Sequence, residues 1–257
     1  VFDLKFRKGN VEKREHTFRA GMIGLDLGSE GPFKKGGASY LFNYRYSTLG
    51  LLNKMGLYLV GERVQNDFQD LSFSLFFPGK NLNSSLKIWG AGGLSAETKT
   101  TVEDMNRWAV FADSAATYAN SDMGVLGATF SMQPDENSHL KITLAGMAQR
   151  ISDGEDVYNR NNLESQSIIE DYRTRSLALA AAYTRNIGNN WYFKTGFQAA
   201  GLSFDMQYDT LETANSFPKI VDGKGNTFRF QPYVQGQWTP AARWTFNLGL
   251  HAMYFAL

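Results

Sequence analysis

The sequence predicts an all-β fold, a transmembrane antiparallel β-barrel with short periplasmic turns and long extracellular loops. Three observations predict it. The stretch from Arg243 to Leu257 alternates Trp244, Phe246, Leu248, Leu250, Ala252, Tyr254 and Ala256 against Thr245, Asn247, Gly249, His251 and Met253. Such a strand exceeds the ~5–6 residues usual in globular sheets and suits the ~9–11 that a tilted membrane strand needs. The second observation is a rhythm of short turns and long polar loops along the chain. The third is that aromatic residues gather beside the short turns, as amphipathic rings do at a membrane interface.

Composition is compatible with this class and excludes others. The chain has 257 residues, 25 Gly, 6 Pro and no Cys, and 26 basic against 25 acidic side chains. Disulfide and thiolate-metal chemistry are thereby excluded, and a net charge of +1 argues against a nucleic-acid binder. No apolar run reaches the ~18 residues of a membrane helix, but a barrel strand hides its apolar half by alternation.

Taken in order, Val1 to Arg7 reads as a short strand ended by a turn at Lys8-Gly9-Asn10. His16 to Ser29 reads either as one bent strand or as a hairpin near Ala20-Gly21. After a turn at Gly31 to Gly37, Tyr40, Phe42, Tyr44 and Tyr46 face one way, and Ser39, Leu41, Asn43 and Arg45 the other. Thr48 to Met55 reads as a short helix. Four further short turns lie at Pro78 to Asn81, Pro134 to Asn137, Ile187 to Asn190 and Thr239 to Ala242, with longer loops over roughly 49 to 66, 95 to 120, 153 to 170 and 209 to 225. The short turns recur about every 50 residues, close to two membrane strands plus a loop.

Apolar faces follow this rhythm: Leu71, Phe73, Leu75 and Phe77; Leu126, Ala128, Phe130 and Met132; Leu140, Ile142 and Leu144; Leu177, Leu179 and Tyr183; Phe228, Phe230, Val234 and Trp238. Between Trp191 and Tyr208 the apolar phase changes sides, which predicts a bulge or glycine bend near Gly196 to Gly201. Phe33, Tyr40, Phe77, Trp191, Tyr192, Trp238 and Trp244 form the expected girdle. An ordinary β-sandwich is the competing fold, but its strands are shorter and its loops lack the short-long asymmetry.

No catalytic set, cofactor site or metal site is expected. His16, His139 and His251 fall on separate strands, Gly90 to Gly93 lacks a following Lys-Ser/Thr pair, and Ser152 to Asp156 reads as an acidic solvated loop rather than a calcium loop. The best substrate-binding candidates are Arg107, Trp108, Phe111 and Tyr118, since aromatic rings among polar groups can stack on a sugar, peptide or aromatic chelate. The rival reading is that these rings pack their own loop. Arg45, Lys141, Arg229, Gln231 and Gln235 are expected to face the lumen, either against a plug or lining a water-filled pore.

The opening Val1 to Asn10, then Leu25 to Phe33 with Gly37 to Thr48, and the late stretch Phe246 to Phe255 resemble TonB-dependent outer-membrane receptors of the Bacteroidota type. The resemblance implies that residues 1–10 end a plug domain and residues 11–257 form the N-terminal half of a transmembrane barrel of about 22 strands. It further implies active uptake of a scarce solute (metal chelate, glycan or peptide) in the outer membrane. The implied partners are outer-membrane lipid, a TonB-type energy-transducing protein reached through plug residues outside this segment, and a surface lipoprotein. The chain is then no enzyme. The alternative function is a passive pore or structural barrel.

Overall fold

The computed structural model describes residues 6–80, 83–158, 164–210 and 219–256. The strands are β1 (Glu15–Ala20), β2 (Gly24–Pro32), β3 (Ser39–Ser47), β4 (Val64–Pro78), β5 (Ser84–Lys99), β6 (Ala115–Met132), β7 (Ser138–Tyr158), β8 (Glu164–Ile187), β9 (Trp191–Thr210), β10 (Lys219–Ala241), β11 (Trp244–His251) and β12 (Tyr254–Ala256). One helix, α1 (Leu49–Lys54), follows β3 and buries Leu49. The strands pair antiparallel with their sequence neighbours from β1 to β11 in one open sheet, while β12 continues on β10.

The break between β11 and β12 has a local cause. Tyr233 faces His251 and Phe230 faces Tyr254, so the register is the same on both sides of the gap. Between them lies Pro232, which accepts from Ala252 N–H at 3.1 Å but has no N–H to return. The two pieces are one strand, and its alternation is that read from the sequence. The region His16 to Ser29 is a hairpin: Gly21 N–H donates to Gly24 O at 2.9 Å. The opening residues 1–5 lie outside the described part, and Phe6 to Asn10 are not a strand. Asn10 instead turns the chain, its Oδ1 accepting from the N–H of Glu12 and Lys13 at 2.9 and 3.2 Å.

Five short connections fall at one end of the sheet, and the α1 loop and the other long connections at the opposite end, together with the three-residue β1–β2 turn. The strands run past the predicted loop boundaries there. β5 continues to Lys99 and β6 starts at Ala115, so the loop read as 95–120 shrinks to residues 100–114. Ser152 to Asp156 lies within β7, not in a loop. These extensions are mostly polar on both faces, with apolar residues such as Ala116, Tyr118 and Val157 scattered and not alternating, so hydrophobic periodicity could not report them.

Cross-strand partners share a face, and the five apolar rows read from β4, β6, β7, β8 and β10 all fall on the same one. Leu71, Phe73 and Leu75 pair with Gly92, Gly90 and Ile88; Ile88 and Leu86 pair with Ala128 and Phe130; Leu144 pairs with Leu179; Trp238 pairs with Trp191 and Phe246. This face is uncovered: Leu126, Leu177, Leu248 and Leu250 are 58, 61, 80 and 74 % exposed. Only Leu41, Leu49 and Ala115 are buried hydrophobics among the described residues, so no second layer closes a core as a sandwich requires. The accessible surface of 17464 Å² compares with the ~11,000 Å² expected of a compact monomer of this mass.

Aromatics gather at the short-turn end as expected. Trp191 stacks on Trp238 at 5.5 Å and Trp238 on Phe246 at 5.6 Å, while Phe33 lies 5.4 Å from Tyr40 and 6.2 Å from Phe77. Tyr192 is the exception: it pairs with Gln237, on the polar face.

The predicted bulge in β9 is absent. Its register is unbroken from Trp191 to Thr210 against β8 and from Trp191 to Tyr208 against β10, where the shift that follows adds a residue to β10 at position 220. Trp191, Phe193 and Phe197 lie on the apolar face, while Leu202, Phe204, Met206 and Tyr208 lie on the polar face nearer the long-loop end. The glycines serve another purpose here. A Cβ on Gly196 would collide with the Ala181 carbonyl and the Tyr233 ring, and one on Gly225 with the Phe204 ring. The same holds for Gly90 under Phe73, Gly127 under Trp89 and Gly154 under Tyr118, and each glycine is the direct cross-strand partner of its aromatic. Aromatic rings laid over facing glycines pin strand register.

Candidate functional site

The polar face is where chemistry can be placed, and a leading segment already occupies part of it. Arg7 holds Glu30 through two bonds of 2.6 Å, and Asn10 N–H donates to the same carboxylate at 2.8 Å. Phe6 stacks on Trp89 at 5.3 Å, its carbonyl accepts from Lys87 Nζ at 2.8 Å, and Lys8 sits 5.7 Å over the Phe76 ring. Gly9 packs so tightly on the Tyr40 carbonyl that no side chain fits. Residues 6–9 thus cross β2, β3, β4 and β5 instead of joining the sheet.

Trp89 is positioned for this contact from below. Its ring lies over Gly127, and its Nε1–H donates to Thr129 Oγ1 at 3.1 Å, which in turn lies 3.2 Å from Thr143 Oγ1. Beyond Trp89 the pairing continues through Gly127, Ala145, Ala178 and Ala200 to Arg229, and a parallel row passes from Thr143 through Ala180 to Gln198 and Gln231. Small side chains make this a shallow floor on which another chain can lie close.

The five side chains expected on this face all have its register. Arg45 is paired with Asp70 at 2.6 Å and lies 5.1 Å over the Phe68 ring. Gln231 Nε2 contacts Met253 Sδ at 3.4 Å, and Lys141, Arg229 and Gln235 are exposed. Beside Gln235, Lys194 lies 5.6 Å over the Tyr233 ring. Sequence reading missed the upper part of the face, where Ile151, Tyr172 and Met206 share one cross-strand row, with Phe204 and Tyr208 on either side of Met206. The phase change in β9 was its only signal.

The four loop candidates are not gathered around one centre. Trp108 is half-buried, with Nε1–H donating to Val102 O at 2.8 Å, and Arg107 is exposed at the end of a 3-10 turn, Met105–Arg107. Tyr118 lies over Gly154 on the apolar-face register of β6. Phe111 opens a second 3-10 turn, and its side chain lies outside the described part.

Asp113 is the organiser of this loop. Its carboxylate accepts from the N–H of Ala109 and Val110 at 3.0 and 3.2 Å and pairs with Arg63 at 3.5 Å. Those two backbone N–H groups, followed by Arg63 and Lys99, hold its carboxyl below the usual carboxylate range. Trp108 and Asp113 therefore serve the loop's own packing. Among the described residues no group of three or more metal-ligating side chains occurs. No protein-family model matches the chain, and no curated protein matches it in sequence.

Proposed function

We propose that this chain is part of an outer-membrane β-barrel that takes up a scarce solute by TonB-dependent transport. The observation that carries the membrane half of this reading is the uncovered apolar face shared by β4 to β12. In water that face would aggregate, whereas in a bilayer it meets its natural solvent. The transport half rests on the sequence resemblance and on the leading segment lying across the polar face, as the end of a plug would. Polar and charge-assisted contacts such as Arg7 with Glu30 hold such a segment yet let it be remodelled. The solute class is a metal chelate, glycan or peptide, with a TonB-type transducer as energy partner and a surface lipoprotein as accessory.

A passive pore is favoured by a different observation, the exposed Lys141, Arg229 and Gln235 on the polar face beyond the leading segment. Planar-bilayer conductance of the whole protein separates the two. Plugged transport predicts a silent channel at rest and solute uptake that stops when the proton gradient is dissipated. A steady open conductance overturns transport in favour of the pore, and a protein that partitions with the aqueous fraction overturns both.

A further inference from the structure

We propose that the apolar face carries a binding site for a phosphate-bearing membrane lipid, centred on Arg175. The inference rests on the membrane reading above and assigns a specific ligand to a surface otherwise read as generic lipid contact.

Pairing places Gly92, Gly124, Ala148 and Arg175 in one row across β5, β6, β7 and β8. Three of these four carry at most a methyl group, so the row is a trough in an otherwise bulky face. The trough widens toward Phe73 and Leu126 into an open groove of about 740 Å³. Its floor is sterically empty at Gly124, where a Cβ would meet nothing within 4 Å. A groove of this shape on a lipid-facing surface suits an acyl chain.

The charges say which lipid. One row nearer the long-loop end, Arg150 and Arg173 both bind Asp171, at 3.0 and 2.6 Å, and Lys224 holds Asp205 at 3.0 Å. Asp122 lies opposite Arg150. With Asp222 in the same row as Asp171, acids match these three cations, but none faces Arg175, whose cross-strand partners are Ala148 and Ser203. Arg175 is the cation nearest the apolar rows: it is exposed and makes no ion pair among the described residues. A guanidinium at the edge of an apolar band needs an anion, and its planar fork binds phosphate oxygens in pairs. A lipid phosphate on Arg175 with a chain in the trough satisfies both features, whereas a zwitterionic headgroup brings its own cation.

The test uses the whole protein in nanodiscs of mixed phosphatidylglycerol and phosphatidylcholine, with bound lipid counted by native mass spectrometry after release. Wild type is expected to retain phosphatidylglycerol preferentially. Arg175→Gln is expected to lose that preference by about tenfold, the scale of one charge-assisted contact. Gly124→Leu, whose Cβ finds open space, fills the trough and is expected to lose it too, and Lys141→Gln on the other face to keep it. Retention by Arg175→Gln equal to wild type overturns the lipid site while leaving the membrane reading intact. A doubled mass with no retained lipid also overturns it, in favour of a second copy in the groove. Failure of wild type to enter nanodiscs overturns both readings.

Discussion

Placing an arginine at two adjacent positions of β7 separates a lipid-facing surface from a wet one. Along its apolar face, β7 presents Leu140, Ile142, Leu144, Gly146 and Ala148 before its first outward charge at Arg150. Those positions span nine residues, or ~31 Å of strand, and at a tilt of ~45° a band ~22 Å tall. That is close to the ~25 Å of an outer-membrane apolar belt and puts Leu144 at its midplane. Leu144→Arg is therefore expected to destabilise the protein in bilayers by ~2–4 kcal/mol. In water the same change at a side chain already 49 % exposed would cost only ~1 kcal/mol of lost burial. Thr143→Arg points to the polar face and is expected to cost less than ~1 kcal/mol beyond its hydrogen bond to Thr129. The assay is guanidinium-driven unfolding and refolding of the whole protein in vesicles, followed by tryptophan fluorescence. Equal costs at 143 and 144 would refute the assignment of faces.

Gly127→Leu is expected to push the Trp89 ring off its seat and release Phe6, so a cysteine at position 8 should label faster with maleimide; Gly201→Ala, whose Cβ meets no neighbour, should leave that rate unchanged. Glu30→Gln removes the charge that holds Arg7, whose side chain is 64 % exposed, so a loss of only ~1 kcal/mol in segment binding is expected, read from the same labelling. Asp113→Asn is expected to loosen residues 100–114 and speed tryptic cleavage after Arg107. Because the Asp113 carboxyl is held below its ordinary range, its contribution is complete above the unfolded pKa of ~3.9 and lost as pH falls through the lower folded value. Protection of loop amides should decline only in that acid window, and a decline between pH 5 and 7 would contradict the role. Lipids brominated near the headgroup should quench Trp191, Trp238 and Trp244 more than lipids brominated at the chain end; the opposite order would remove these rings from an interface.

Much of the sheet was legible because a two-faced strand writes its alternation directly into the sequence. Trp244 to Ala256 and Leu140 to Leu144 announced both their face and their strand. The short turns were equally plain, since Pro-Gly and Asn-rich stretches have few other uses. What stayed hidden depends on register. The adjacency of Gly92, Gly124, Ala148 and Arg175 involves four strands, and nothing within any one of them marks it. The switch of apolar side chains in β9 was visible, but a bulge and a real change of surface produce the same one-dimensional pattern. For the loop, aromatic and charged residues signalled a built structure, while the Trp108 N–H bond to Val102 shows that the structure consumes its own donor.

The five aromatic rings seated over glycines make neighbouring strands depend on one another through pairs, not through long runs. Enlarging Gly225 is tolerable only if Phe204 shrinks or swings aside, and the same bargain binds Gly127 to Trp89 and Gly154 to Tyr118. Inherited change in this protein should therefore move sideways, from one strand to the residue facing it on the next, while the stretches between such pairs drift freely. Relatives too distant to share recognisable sequence would still be expected to keep small and large residues facing each other at these crossings, with the two sometimes exchanged.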